Sequence, residues 1–496
     1  MSDEQEQRLQ KAAALRERGI DPYGGRFERT LSFHAIQENY REHPLIPAPV
    51  HAVAGRMIAL RRFGKAAFAH LQDISGRLQV YFKRDTLGPE GFDLFEHLDV
   101  GDHIGAEGIL FRTKTQELTL AVQHLTLLAK ALRPLPEKWH GLTDIALRYR
   151  MRYVDLIVNP EVRAVFIQRS RIIDTLRRLL QTHQFLEVET PMMHPIAGGA
   201  AARPFITHHN AMGRDLYLRI APELYLKRLM VGGLERVFEI NRNFRNEGVS
   251  TVHHPEFTML EFYMAYANYV DMMSLTETLI SEVAQQVLGH MQWEDQGRRI
   301  DLTPPWQRIS YLAAIAQHYQ VDPSDLSDAE KVSKILAHAG LSPPRDQALY
   351  QQVNLLFEAG VEPQLSGPVF VCDYPTAISP LAKRQPGHLE LTERFELYIA
   401  GREIANGFSE LNDPVDQRER FEAQAKKHAL GDLECHAVDE DYLCALEYGM
   451  PPAAGCGIGI DRLVMLLSGQ ASIRDVILFP QMKPVSGAPA DAEAEI

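Results

Sequence analysis

The stretch from Arg236 to Gly248 sets Glu239, Asn241, Asn243, Arg245 and Glu247 at alternate positions, with Phe238, Ile240 and Phe244 between them. Successive side chains of a β-strand point to opposite faces, so this spacing gives one apolar face and one face of short, chemically varied polar groups. Such a face suits a floor that meets a polar ligand. The plain alternative is a row of ion pairs on an exposed sheet, where each pair contributes little. The chain turns through Gly248 to Pro255 and returns with Phe257, Met259, Glu261 and Tyr263 at alternate positions. On one face these supply an aromatic to stack a base, and a carboxylate and phenol to hold a cation. An amphipathic strand with one satisfied glutamate would look the same.

Two later segments carry further chemistry. Arg394 to Glu410 holds two strand-like runs broken at Gly401, which predicts a hairpin. Glu396 and Glu403 could meet across it, and carboxylates together with phosphates are what Mg²⁺ prefers. Asn406, Phe408 and Glu410 share one parity, but Glu403 has the other, so a bulge is needed to bring it to their face. Gly455 to Asp461 is glycine-rich and runs through Arg462 into the apolar run Leu463 to Leu467, so the backbone can approach a ligand closely before a helix opens. The pattern is neither a dinucleotide-binding G-x-G-x-x-G nor a P-loop. A nucleotide site here would be built on antiparallel strands with arginines.

These segments need elements to position them. Val162, Val165, Phe166, Ile172, Ile173, Leu176, Leu179 and Leu180 follow helical spacing and lead into a strand, Phe185 to Thr190, closed by Pro191. Residues 323–345 read as a helical insertion between Pro323 and the Pro343-Pro344 pair. Upstream of residue 130, alternations such as Leu78, Val80, Phe82 and Leu118, Leu120, Val122 predict about five short antiparallel strands, the make-up of a small OB-type barrel. Residues 3–18 read as a polar helix, most simply a solvated arm. The division expected is a helix and barrel at 1–132, a proline-containing linker at 133–143, a larger α+β domain at 144–484, and a small, acidic, disordered tail at 485–496.

The bulk numbers fit. A chain of 496 residues is too long for one ordinary core. No run of 18 apolar residues occurs and the charged N-terminus lacks a signal-peptide core, so no membrane span or export is expected. Cys372, Cys435, Cys444 and Cys456 form no C-x-x-C pair, which argues for free thiols in a reducing cytoplasm rather than a zinc or disulfide framework. The net charge of −13 argues only weakly against a nucleic-acid partner, because binding depends on local patches such as Arg61, Arg62 and Lys65.

Taken together the segments resemble the three motifs of class II aminoacyl-tRNA synthetases. The helix ending in Phe185-Leu-Glu-Val-Glu-Thr-Pro191 resembles motif 1, the dimer-forming element; Phe244 to Glu247 through Phe257 resembles motif 2; Gly457-Ile-Gly-Ile-Asp-Arg462 resembles motif 3. The likeness covers nearly the whole chain. It is closest to the bacterial lysyl-tRNA synthetases, through Gly198 to Phe205, Ala221 to Arg228 and Asn406 to Asn412. The resemblance implies an N-terminal OB-fold barrel, a catalytic antiparallel sheet flanked by helices, and a cytoplasmic homodimer. The implied activity is ATP- and Mg²⁺-dependent activation of L-lysine followed by its transfer to the 3′ end of tRNA(Lys).

It also implies roles. Arg245 binds the α-phosphate. Phe257 stacks on adenine, with Arg462 on the other face reaching toward the γ-phosphate. Glu247 contacts the adenine amino group and His253 the outer phosphates. Glu396 and Glu403 hold Mg²⁺. Glu223, Glu261, Tyr263, Asn406, Phe408 and Glu410 line the lysine pocket, closed by Gly199. In the barrel, Arg61, Phe68, Gln79 and Glu117 meet the anticodon, Phe68 as a stacking platform; the plain alternative for Phe68 is a barrel-core residue. One departure stands out: where the family has Arg-His-Asn-Pro-Glu-Phe, this chain has Val252-His-His-Pro-Glu-Phe257, which loosens the loop's grip on the triphosphate.

Aspartyl- and asparaginyl-tRNA synthetases share the architecture, but acidic or neutral substrates do not call for three carboxylates. A synthetase-like enzyme that lysylates proteins would lack the barrel. A non-enzymatic OB-type binding protein with a degenerate second domain would not keep Arg245, Arg462, Glu396 and Glu403.

Overall fold

The computed structural model describes residues 2–40, 48–136, 142–295, 297–343, 347–430 and 434–483. The chain divides into two compact units, Met1–Thr143 and Asp144–Ile496. The expected linker lies partly outside the described residues, and the expected disordered tail lies wholly outside them.

In the first unit, five strands close a barrel: β1 (Val50–Phe63), β2 (Ala66–Gln72), β3 (Arg77–Lys83), β4 (His103–Arg112) and β5 (Leu118–Ala129), in the order β1-β2-β3-β5-β4. Alternation decides which side chains fill it. Leu78, Val80, Phe82, Leu120 and Val122 are buried inside with Ala67, Ala69 and Leu71, while Leu118 is half-buried against them. Helix α1 (Asp3–Glu17) is capped by Ser2 and is not the solvated arm its composition suggests. Ala12 and Leu15 are buried, and Arg8 is 5% exposed with its guanidinium donating to the carbonyls of Val100 and Ala131 at 3.0 and 3.1 Å. An arginine that satisfies buried backbone acceptors leaves no apolar signature in a sequence.

The second unit is built on an eight-stranded sheet. Its strands are β6 (Leu186–Glu187), β7 (Arg236–Phe244), β8 (Glu256–Ala265), β9 (Gln307–Ser310), β10 (Val369–Cys372), β11 (Arg394–Ile399), β12 (Arg402–Ser409) and β13 (Ala453–Gly459), in the order β9-β10-β11-β12-β13-β8-β7-β6. Pairing is antiparallel except at the two edges. Helix α2 (Pro160–Thr182) begins with proline at its first turn, where no N–H bond is lost. It buries Ile172, Leu176 and Leu180 against Phe238, Leu260 and Phe262 of the sheet and Leu279, Ile280 and Val283 of helix α4 (Tyr269–Leu288); helix α3 (Glu223–Val231) lies between these in sequence. After α2 only Leu186–Glu187 is extended, shorter than the strand expected there. The insertion is helical, with a 3₁₀ turn at Pro323–Ser327 and a helix at Ala329–His338.

With the core on one face of β7 and β8, the odd-numbered residues of both strands face the other way. Glu239 pairs in register with Glu261, Asn241 with Met259, and Asn243 with Phe257.

Candidate active site

The β8 part of that face floors a cleft of about 440 Å³; Glu239, Asn241 and Asn243 of β7, expected in the same floor, do not line it. Gly199, Glu223, Arg245, Glu247, His253, Phe257, Glu261, Tyr263, Glu396, Glu403, Asn406, Phe408, Glu410 and Arg462 all line it. They come from separate stretches of chain, and three features bring them together.

The first is a bulge in the β11–β12 hairpin. Leu397 pairs with Ala405 but Tyr398 with Glu403, so Ile404 has no opposite number. The extra residue inverts the parity of Glu403 and turns it toward the cleft with Asn406, while Ile404 drops into the core. The second is the glycine spine of β13. A Cβ at Gly455 would sit 2.3 Å from the Tyr263 ring and 2.5 Å from Glu410 Oε1, so only glycine lets these two side chains cross the strand. The third is Asp461 at the start of helix α5 (Ile460–Ser468). It accepts from Arg169 of α2 at 2.6 Å and from the Thr258 backbone N–H of β8 at 2.7 Å, while Arg169 also reaches Thr258 Oγ1 at 3.1 Å. Arg169 thus ties the long helix to both the end of the glycine-rich segment and β8.

One end of the cleft is acidic and buried. Glu223, Glu261 and Glu410 are buried, and between Glu223 and Glu410 sits Lys227, wholly buried, 2.5 Å from Glu223 and paired with Glu410. Its ammonium lies 5.2 Å over the Phe408 ring. Burial pushes Glu261 up to about 8, helped by the charge of Glu223; the Tyr263 hydroxyl donates to it at 3.0 Å and opposes the rise. Burial also takes Glu410 up to about 8 and raises Glu223, with Lys227 opposing both. Gly199 (φ +88°) closes this end, where a Cβ would press on Ala221.

The other end is cationic. Arg245 stands 5.1 Å over the Phe257 ring, and burial lowers its pKa while Glu403 and Glu247 favour its charge. Arg462 donates to the Glu403 carbonyl and carboxylate at 2.9 and 3.0 Å and lies 3.3 Å from His253 Nε2. Burial and the neighbouring Arg462 hold His253 below the usual histidine range, so its ring is neutral at pH 7. Val252 is half-buried and brings no charge. His254 is buried, with Nδ1 2.5 Å from the Glu256 carbonyl and Nε2 accepting from the Gln481 N–H at 2.8 Å, so it tethers the loop to the chain's last described segment.

Glu396 is already well served: Tyr374 and Tyr398 donate to one oxygen at 2.8 and 2.6 Å, and Arg394 to the other at 2.5 Å. Two carboxylates on one floor are the hard oxygen donors that Mg²⁺ takes. Among the described residues no third His, Cys, Asp or Glu is gathered into a metal-binding group with them, so phosphate oxygens or water would complete the shell. Sequence reasoning assigns no role to Lys227, Arg394, Tyr374, Tyr398 or Arg169. For Lys227 one signal existed, the i, i+4 spacing from Glu223 on one helix.

On the barrel, Phe68 is half-exposed and outward, because its neighbours Ala67 and Ala69 hold the inward positions. Its ring lies 4.7 Å from Tyr81 and 6.4 Å from Phe63, and Tyr81 lies 6.1 Å from Phe111. Arg61, exposed on β1, is opposite Phe68 in register. Glu117 is held between Gln79 (2.7 Å) and His70 (2.9 Å), and Thr119 donates to the Gln79 side-chain Oε1 at 2.7 Å. An aromatic stripe beside an ordered set of hydrogen-bonding groups suits single-stranded nucleic acid.

Comparison with known proteins bears on both units. Residues 52–128 match the OB-fold nucleic acid binding domain family. A lysine–tRNA ligase of Pelotomaculum thermopropionicum is 59% identical over 96% of this chain and 94% of its own length. One of Carboxydothermus hydrogenoformans is 58% identical over 96% and 97%, and one of Bacillus subtilis 51% over 97% and 98%. Residues 144–483 match the model of class II tRNA synthetases (D, K and N), and the chain belongs to that family.

Proposed function

We propose that the chain is a lysine–tRNA ligase: it joins L-lysine to AMP at the expense of ATP, then moves the lysyl group to the 3′ end of tRNA(Lys). The observation that carries this choice within the family is the buried acidic end of the cleft. Glu223, Glu261 and Glu410 are buried together, Lys227 pairs with Glu223 and Glu410, and an ammonium needs paired, hydrogen-bonding carboxylates to be buried at all. Aspartate would be repelled there, and asparagine would leave the carboxylates unmatched.

In this reading the substrate's ammonium groups lie against the three glutamates and its carboxylate turns toward Arg245. That carboxylate attacks the α-phosphorus of ATP and pyrophosphate leaves. Arg245 neutralises charge as it builds on the phosphate, and Arg462 with neutral His253 holds the leaving end. Phe257 takes the adenine and Glu247, at the rim, its amino group. Glu396 and Glu403 would hold Mg²⁺, which when bound screens the phosphate charge. No covalent bond to the enzyme forms; the protein supplies position and charge. The terminal hydroxyl of tRNA then attacks the lysyl carbonyl and AMP leaves. The barrel reads the anticodon through Phe68, Gln79, Glu117 and Arg61. A homodimer joined beside α2 is supported by the edge position of β6, whose Leu186 is 53% exposed. The free thiols of Cys372, Cys444 and Cys456 support work in a reducing cytoplasm, and no helix among the described residues is long and apolar enough to cross a membrane.

ATP–pyrophosphate exchange tests the assignment. Lysine should drive it in the presence of Mg²⁺. Exchange driven by aspartate or asparagine and not by lysine would overturn it.

A further inference from the structure

We infer that lysine enters the pocket by displacing protons: Glu223 and Glu410, paired with the buried Lys227, and Glu261 buried beside them, hold protons until the substrate's two ammonium groups take their place. This rests on the lysine reading of the site and deepens it.

Charge balance among the buried groups sets their protonation. Glu223, Glu261 and Glu410 are 7%, 5% and 1% exposed and Lys227 is 0% exposed. The other charges packed around them are already matched. Arg219 pairs with Glu239 at 2.7 Å, Arg394 with Glu396 at 2.5 Å, and Arg228 with Asp439 at 2.9 Å. Arg245 is countered first by Glu403 and Glu247, and Tyr263 and Tyr442 are phenols held neutral by burial. That leaves three carboxylates against one ammonium. An unpaired buried charge is costly, so the group neutralises instead. Lys227 remains charged, because the attraction of Glu223 and Glu410 outweighs the burial that works against it. It offsets one carboxylate, and the other two carry protons. The rise of Glu261 and Glu410 to about 8 agrees with that count.

Lysine brings two ammonium groups, while its carboxylate is met by Arg245. Three carboxylates then balance Lys227 and the two substrate cations. For this to happen two carboxyl O–H bonds break, their protons pass to the buffer, and the freed oxygens accept N–H bonds from lysine, which keeps its own protons. The sign follows. The carboxyls titrate above their ordinary range in the free protein and are pulled down by bound cations. Lysine affinity is therefore complete above about pH 8 and falls as pH drops below it.

The test is calorimetric titration of the full chain with L-lysine at pH 7 in phosphate and in Tris, whose ionisation heats differ. The difference in observed heat should correspond to release of about one to two protons, and affinity should tighten about tenfold per pH unit for each proton released between pH 6 and 7.5. Glu261→Gln, checked for an unchanged melt, should lower the count by about one. Lysine binding with no buffer dependence and a flat affinity from pH 6 to 8 would overturn the exchange while leaving the lysine assignment intact. A folded chain that binds no lysine at any pH, and exchanges pyrophosphate with another amino acid, would overturn the assignment itself.

Discussion

Arg245 has a ring beneath it and acidic groups around it, so its charge is held in place before any substrate arrives. Arg245→Ala should lower kcat for pyrophosphate exchange by about 10²–10³, as when one preorganised donor to a developing anion is lost, with little change in the KM for lysine. Near-normal exchange would remove it from the chemical step. Glu410→Gln should act differently. It strips one partner from a buried pair, a change that costs about 3–5 kcal/mol, so the KM for lysine should rise far more than that for ATP. Equal weakening of both would point to a structural part for Glu410. At Val252 the expected gain is modest: Val252→Arg should tighten ATP by about 1–3 kcal/mol, the worth of a charge-assisted hydrogen bond, unless Arg462 and His253 already fill that place and ATP binding stays put. Which residues could be read in advance follows from periodicity. Phe257, Glu261 and Tyr263 were legible because a strand alternates strictly. Lys227 was not, because helical spacing from Glu223 says nothing about burial, and the partners of Glu396 come from a distant turn, Tyr374, and from its own strand.

Elements set parity, and one residue in β12 resets it. The sequence left Glu403 on the wrong face; the unpaired Ile404 corrects this. No pattern in the sequence marks a bulge of this kind, since its cause is the register of the partner strand. Inserting one alanine between Leu397 and Tyr398 should give Ile404 an opposite number, restore strict alternation, turn Glu403 away from the cleft and abolish Mg²⁺-dependent exchange, while circular dichroism still reports a folded sheet. Exchange at more than a tenth of the normal rate would show that Glu403 need not face the cleft. The barrel shows the opposite case. Its alternation was plain, and it puts Ala67, Ala69 and Leu71 inside, leaving Phe68 outward. Phe68→Ala should therefore weaken tRNA use by about 1–3 kcal/mol, as for loss of one stacked base, without moving the melting temperature. A lowered melting temperature together with equal slowing on tRNAs of either anticodon would make Phe68 a structural residue.

At the scale of the whole molecule, each unit has its own apolar core: Val53, Leu78 and Phe82 centre one, and Phe238, Leu260 and Ile458 the other. Two cores of this kind argue that the second unit keeps its cleft alone. Removing residues 1–143 should leave measurable lysine-dependent exchange and cripple tRNA charging; loss of both, in a chain that still melts cooperatively, would show that the barrel shapes the cleft. Length and composition had already called for two domains. The docking of α1 could not be foreseen, because a polar helix held by Arg8 and two small apolar contacts looks in sequence like one held by nothing.

The cysteines have a practical use. Cys372 and Cys456 lie in the core, their thiols pushed up to about 12 by burial, and Cys435 is buried too; Cys444, on the helix Glu440–Glu447, is open to solvent. Thiol reagents attack the accessible thiolate. A maleimide dye at neutral pH should therefore couple to the unaltered chain at Cys444 alone. That gives a single optical reporter on the catalytic unit, one that can follow the arrival of fluorescently tagged RNA by energy transfer without any engineered mutation.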